Sequence, residues 1–146
     1  MAYLLDTNVV SELRKVKSGK ADANVAHWAR RVSAPTLFLS AITVQELEHG
    51  TLLVERRDTT QGRILRTWLD EHVLPTFAER VLVIDTLVAR RAAALHVPDP
   101  RPVRDALIAA TALVHGLTVV TRDVDDFIPM SVDIINPWER ATPRPA

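Results

Sequence analysis

No cysteine occurs among the 146 residues, which removes disulfide frameworks, thiolate nucleophiles, Cys-ligated zinc and iron–sulfur clusters together. Histidine is sparse and scattered. His27, His49, His72, His96 and His115 contain no pair three to five residues apart, so nothing points to a histidine zinc site. Neither sign of charge prevails: eighteen Lys+Arg face eighteen Asp+Glu, which is not the profile of a globally basic nucleic-acid binder. No apolar run approaches the roughly 18 residues a membrane span needs. Met1-Ala2-Tyr3-Leu4-Leu5 lacks a basic leader and reaches Asp6 at once, so a soluble, cytoplasmic, membrane-free protein is expected. Repeats and low complexity are also missing. The biased stretches are Pro98-Asp99-Pro100-Arg101-Pro102 and the end of the chain. The chain as a whole, 47% hydrophobic and 25% charged, suits one domain over 1–138 followed by a frayed tail, 139–146. Any chemistry must use oxygen or imidazole.

Short apolar runs alternate with longer segments of helical period. Strands are expected at about Ala2–Leu5, Thr36–Leu39, Val81–Ile84, Leu117–Val120 and Val132–Ile135. Helices are expected at about Thr7–Lys15, Ala23–Val32, Ile42–Arg57, Gln61–Leu74, from Asp85-Thr86 onward, and from Pro102 to His115. In the last of these, Val103, Ala106, Leu107, Ala110, Leu113 and Val114 form one helical stripe, while Ile108, Ala109 and Ala112 make the opposite face apolar too. That helix should be buried on both sides, opened by Pro102 in its first turn and closed by Gly116. Alternating, mostly apolar strands and helices predict an α/β fold with a mainly parallel sheet of about five strands between two helical layers. In such folds ligands gather beyond the carboxyl ends of the strands, where strand order reverses.

Four acids fall there. Asp6 follows the first strand, Glu46 lies one turn into the helix after the second, Asp105 opens the buried helix, and Asp123 follows the fourth strand. Each has a plain structural explanation. Asp6 can cap a helix, Thr43-Val44-Gln45-Glu46 has capping-box spacing, Asp105 suits a helix dipole, and Asp123, like Asp125 and Asp126, can belong to a turn. Together they are harder to explain, because two like charges 4 Å apart repel by about 4 kcal/mol at an effective dielectric near 20. A cation is required. Oxygen ligands without cysteine favour Mg²⁺ or Mn²⁺ over zinc.

The stretches Leu4-Leu5-Asp6-Thr7-Asn8, Ser40-Ala41-Ile42-Thr43-Val44-Gln45-Glu46-Leu47-Glu48-His49-Gly50, Asp105 to Ala112, Thr121-Arg122-Asp123 and Asp126-Phe127 resemble the PIN-domain ribonucleases, specifically the VapC-like toxins of type II toxin–antitoxin pairs. The resemblance runs from Met1 to about Trp138. It implies a three-layer α/β/α domain that hydrolyses RNA phosphodiester bonds with Mg²⁺, is restrained by a VapB-like antitoxin, and forms homodimers and toxin–antitoxin hetero-oligomers. Carried over by position, Asp6 and Asp105 match the principal metal ligands and Glu46 and Asp123 the other two acids, with Asp125 and Asp126 as substitutes for the fourth. One or two bound ions would move the formal charge from 0 to +2 or +4, placed where phosphate approaches. Two other outcomes fit the same motifs: a PIN-like metal- or RNA-binding protein without turnover, and a nuclease specific for DNA or for nucleic-acid structure.

The remaining candidates are two-sided. Thr7 and Thr121 can orient carboxylates. Arg14, Lys15, Lys17 and Lys20 can meet phosphate or simply face solvent, Arg122 can contact substrate or partner, and Arg56, Arg57, Arg63 and Arg66 suit an exposed helical face. Trp28 and Trp68 read as packing residues. Gly50 shares a helical face with Glu46 and offers room for close approach. Asp85 ends a strand as a phosphoacceptor would, but no lysine follows Lys20 and Asn8 stands where a second Asp would be needed, so it reads as a helix start.

Overall fold

The computed structural model describes residues 1–139. Strands β1 (Tyr3–Leu5), β2 (Leu37–Ser40), β3 (Val81–Leu82), β4 (Thr118–Val120) and β5 (Ile134–Ile135) form one sheet in the order β3-β2-β1-β4-β5, with all four pairings parallel. The order reverses at β1, whose neighbours are β2 and β4. The strands depart from the expected bounds by two residues at most. The expected tail lies outside the described residues except for Glu139.

Alternation along these strands explains the three layers. Leu4 and Val119 point to one face, where they pack with Ala106, Ile108, Ala109, Ala112 and Phe127. Leu5, Leu39 and Val120 point to the other, against Val9, Val10, Leu47, Leu69, Val73 and Phe77. With both faces covered, strands of this kind need no polar alternate positions. Helices α1 (Thr7–Leu13), α2 (Ala23–Arg31) and α3 (Ala41–Arg57) precede α4 (Thr59–Trp68) and a one-turn α5 (Leu74–Thr76); α6 (Thr86–Leu95), α7 (Val103–His115) and the short α8 (Val124–Phe127) complete the set. Among the described residues no helix is long and apolar enough to cross a membrane.

As its pattern predicts, α7 is buried on both sides. Ile108, Ala109 and Ala112 meet the sheet, while Ala110, Leu107 and Val114 pack on Val88 and Ala92 of α6. Only its first residue, Val103, leaves the stripe, being 68% exposed. Pro102 stands just before the helix rather than in its first turn. Gly116 adopts the left-handed conformation at φ 67°, and the Leu117 amide reaches back to Ala112 O at 2.9 Å. Asp85 caps α6 through the Val88 amide at 2.9 Å.

The α3–α4 hairpin differs from expectation in three ways. Regular winding stops at Trp68, and Leu69–Val73 open into a wider turn in which the Leu74 amide bonds Leu69 O. Pro75 has no N–H to offer the carbonyl four residues earlier, so the ordinary ladder cannot continue. Gly50 faces open space, whereas a Cβ on Gly62 would lie 2.5 Å from Glu55 Cα. Gly62 is the close-approach glycine. Finally, Arg66 is not an idle surface charge: its guanidinium forms ion pairs with Glu48 at 2.6 Å, Glu55 at 2.9 Å and Asp70 at 3.5 Å.

Candidate active site

Asp6 ends β1 in extended conformation and caps α1, with Oδ1 accepting the Thr7 amide at 2.8 Å. A cap needs no more than that. Yet Asp6 is fully buried, and it also accepts the Thr121 hydroxyl on Oδ2 at 2.7 Å and the Arg104 guanidinium on Oδ1. A carboxylate removed from water requires such donors to stay ionised.

The capping-box explanation of Glu46 fails. The residue that caps α3 is Ser40, whose hydroxyl accepts the Ile42 amide at 3.0 Å. Thr43 therefore lies inside the helix, buried. Glu46, one turn on, faces away from the helix start: Oε1 accepts the Thr7 hydroxyl at 2.6 Å, and Oε2 accepts Arg104 Nε at 2.6 Å. Asp105 sits in the first turn of α7, 6% exposed, with Oδ1 accepting Arg104 Nη1 at 2.7 Å. Burial raises the Asp105 carboxyl above the ordinary range, and the charges of Asp126 and Asp6 push the same way against the opposing pull of Arg104.

Arg104 thus joins Asp6, Glu46 and Asp105 through three different nitrogens. Burial alone would weaken its charge. The hydrogen bond to Glu46, the charge of Asp6 and the bonds to Asp6 and Asp105 outweigh burial and hold the guanidinium above its usual range.

Asp123 stands apart from this centre, exposed at the start of α8. Asn8 Nδ2 donates to its Oδ2 at 3.1 Å, and its amide donates to Thr121 Oγ1 at 3.0 Å. The structure therefore gathers three of the four expected acids directly and ties the fourth to Asp6 through Thr121. Both threonines orient carboxylates as their positions suggest.

Two participants escaped the sequence reading. Asn8 was visible only as a neighbour of Asp6-Thr7, because its partner lies 115 residues away. Arg104 did carry a signal. A cation in the first turn of a helix opposes the macrodipole, so its presence there calls for acids nearby. Other basic residues are engaged within the chain: Arg14 lies over Trp68 at 5.8 Å, Lys15 pairs with Glu12 at 3.1 Å, and Arg122 lies over Trp138 at 5.3 Å. Asn24 Nδ2 fixes the Trp138 carbonyl at 2.7 Å. Trp28 packs edge-on against Tyr3, with centroids 5.5 Å apart.

The donor chemistry fits a hard divalent cation, since every convergent atom is a carboxylate oxygen and all three already share one cation. Among the described residues no three His, Asp or Glu side chains are grouped closely enough to ligate an ion as they stand. The guanidinium takes the middle of the group.

The model of the PIN domain family matches residues 3–130 of the chain. The chain is 41% identical over 146 residues to the VapC ribonuclease Y4jK of Sinorhizobium fredii, covering 94% of this chain and 99% of that protein. It is 41% identical over 148 residues to the plasmid stability protein StbB of Pseudomonas syringae pv. tomato, covering 93% and 98%. Among solved structures, FitAcB from Neisseria gonorrhoeae superposes with a TM-score of 0.85 at 35% identity, over 94% of this chain and 99% of that one. A toxin–antitoxin complex from Klebsiella pneumoniae gives 0.65 at 26%, over 95% and 100%.

Proposed function

This chain belongs to the PIN-domain family, and from that premise we propose that it is the toxin of a type II toxin–antitoxin pair: a cytoplasmic, Mg²⁺-dependent ribonuclease of one domain, 1–138, held inactive by a cognate antitoxin and assembling as a homodimer and with that antitoxin. The observation that carries this reading is the convergence of Asp6, Glu46 and Asp105 on one cation at the carboxyl edge of the sheet, where strand order reverses. Relatives named as a ribonuclease and structures described as toxin–antitoxin complexes support the activity and the partner.

Asp6 and Asp105 would hold the ion, and Asp123 would add a carboxylate to it or to a second one from the rim. The ion, when bound, supplies Lewis-acid stabilisation of phosphoryl oxygen and a lowered pKa for water. Thr121 and Thr7 fix the outward oxygens of Asp6 and Glu46, turning Asp6 Oδ1 and Glu46 Oε2, the oxygens that accept Arg104, toward the centre of the site. Glu46 accepts a proton from the attacking water at its inward carboxylate oxygen. As the water oxygen bonds to phosphorus, the bond from phosphorus to the 3′-oxygen breaks and that oxygen takes up a proton from solvent, leaving a 5′-phosphate and a 3′-hydroxyl.

The test is cleavage of single-stranded RNA, tRNA and DNA by the purified chain, with Mg²⁺ or EDTA, beside Asp6→Asn and Asp105→Asn. The expected result is Mg²⁺-dependent RNA cleavage with 5′-phosphate ends, lost in both folded variants. Wild-type rates from a folded Asp105→Asn would overturn the assignment, cyclic phosphate ends would overturn the water mechanism, and preference for DNA would overturn the substrate. Retained RNA or metal binding with no cleavage at all would make the protein a binding module.

A further inference from the structure

Two of the three central carboxylates divide their work between two oxygens. Asp6 Oδ2 and Glu46 Oε1 are tied outward, to the hydroxyls of Thr121 and Thr7. The oxygens that face one another across the site, Asp6 Oδ1, Glu46 Oε2 and Asp105 Oδ1, all accept from Arg104. Asp6 Oδ1 and Asp105 Oδ1 are the oxygens a divalent ion held by those two residues would use, and Glu46 Oε2 is the one the attacking water would meet.

Arg104 is immediately before Asp105 on α7, yet its three bonds reach three separate elements: the end of β1, the second turn of α3 and its own helix. Its side chain is 32% exposed, so it has a path into solvent. Asp6, by contrast, is fully buried and Asp105 nearly so. The acids are fixed, and the cation between them has somewhere to go. A single positive charge also leaves three carboxylates incompletely balanced, a deficit that a divalent ion would reduce further.

We propose that Arg104 is a built-in counter-ion that occupies the metal position of this chain, keeping the acids assembled when no metal is bound and competing with the divalent ion for the inward oxygens of Asp6 and Asp105. The inference rests on the metal-site reading given above. Metal entry then requires the guanidinium to leave, and metal affinity is set by the difference between the two occupancies. Removing the guanidinium has two opposite effects. The metal-free fold loses the group that compensates three buried or half-buried carboxylates, while the metal loses its competitor.

Binding of Mn²⁺ to the chelator-treated full chain, measured by calorimetry and by manganese resonance, tests this beside thermal melting of wild type, Arg104→Gln and Arg104→Lys. Expected are a lower melting temperature for metal-free Arg104→Gln, Mn²⁺ affinity raised about 5-fold or more in that variant, and a melting difference that closes as Mn²⁺ saturates. Arg104→Lys separates occupancy from bulk charge, since it keeps the charge but not the three-way fork. Competition predicts that it too binds Mn²⁺ more tightly than wild type. Unchanged or weaker Mn²⁺ binding by folded Arg104→Gln overturns the proposal, as does an Arg104→Lys affinity equal to wild type. Failure of the underlying metal reading looks different: no Mn²⁺ binding by any form, or binding that Asp105→Asn leaves intact, overturns both.

Discussion

Thr121 donates its hydroxyl proton to Oδ2 of Asp6 at 2.7 Å across 115 residues of chain, and Thr121 Oγ1 in turn accepts the Asp123 amide at 3.0 Å. One hydroxyl therefore sets both the orientation of the deepest acid and the path of the backbone that carries the outermost one. Thr121→Val keeps the shape and removes both bonds. RNA cleavage is expected to fall about 10- to 100-fold, with weaker Mn²⁺ binding and an unchanged circular dichroism spectrum. A variant with wild-type kcat/KM and metal affinity would make Thr121 a packing residue only.

Asp126 raises the Asp105 carboxyl by its negative charge, after burial has done most of the work. Replacing it with Asn removes that contribution, so Asp105 should titrate at lower pH in metal-free Asp126→Asn than in wild type. Carbon-detected NMR of the side-chain carboxyls checks this directly. An Asp105 titration that stays put would show that Asp126 is too well solvated to be felt.

Two glycines in the α3–α4 hairpin should respond oppositely to alanine. At Gly62 the new methyl would collide with backbone at Glu55, a fault of the kind that costs about 1–3 kcal/mol and exceeds or cancels a helix-propensity gain of about 1 kcal/mol. At Gly50 nothing lies within 4 Å, so the gain should stand alone. Urea or thermal unfolding should place Gly50→Ala above wild type and Gly62→Ala below it.

The hydrogen bond from Arg66 holds Glu55 below the usual carboxylate range. A carboxyl depressed in the folded state contributes stability that is present above its unfolded value, about 4.3, and is lost as the pH falls through the folded value. Thermal melts of wild type and Arg66→Ala should therefore differ by a constant, modest interval near neutrality. The interval should narrow below about pH 4, and added salt should narrow it at any pH. A difference that widens in acid would contradict this.

The elements were legible because both sheet faces are covered, so the strands stand out as unbroken apolar runs, and α7 as a helix apolar on nearly every side. What stayed hidden depended on distance in space rather than pattern along the chain. Glu46 looked like half of a capping box until Ser40 took the cap. Gly50 looked like the contact glycine because it shares a face with Glu46, but close approach is decided by the partner helix, which meets Gly62. Arg66 looked solvated for the same reason: its three acids lie on two helices. Asp6, Glu46 and Asp105 were found as candidates from their places after strands and in first turns, yet the cation between them, Arg104, was passed over.

The parallel pairing of β1 with β4 has a consequence for the growing chain. The Asp6 amide bonds Val120 O at 2.9 Å, and Thr121 closes over the acid from the same strand end, so β1 waits for more than a hundred further residues before its second edge is filled. Until β4 has cleared the ribosome, a nascent chain holds Asp6 without the Thr121 hydroxyl against it. The orientation of the acidic centre is thus completed only with residue 121, and a truncation before it leaves Asp6 without the hydroxyl that holds its Oδ2.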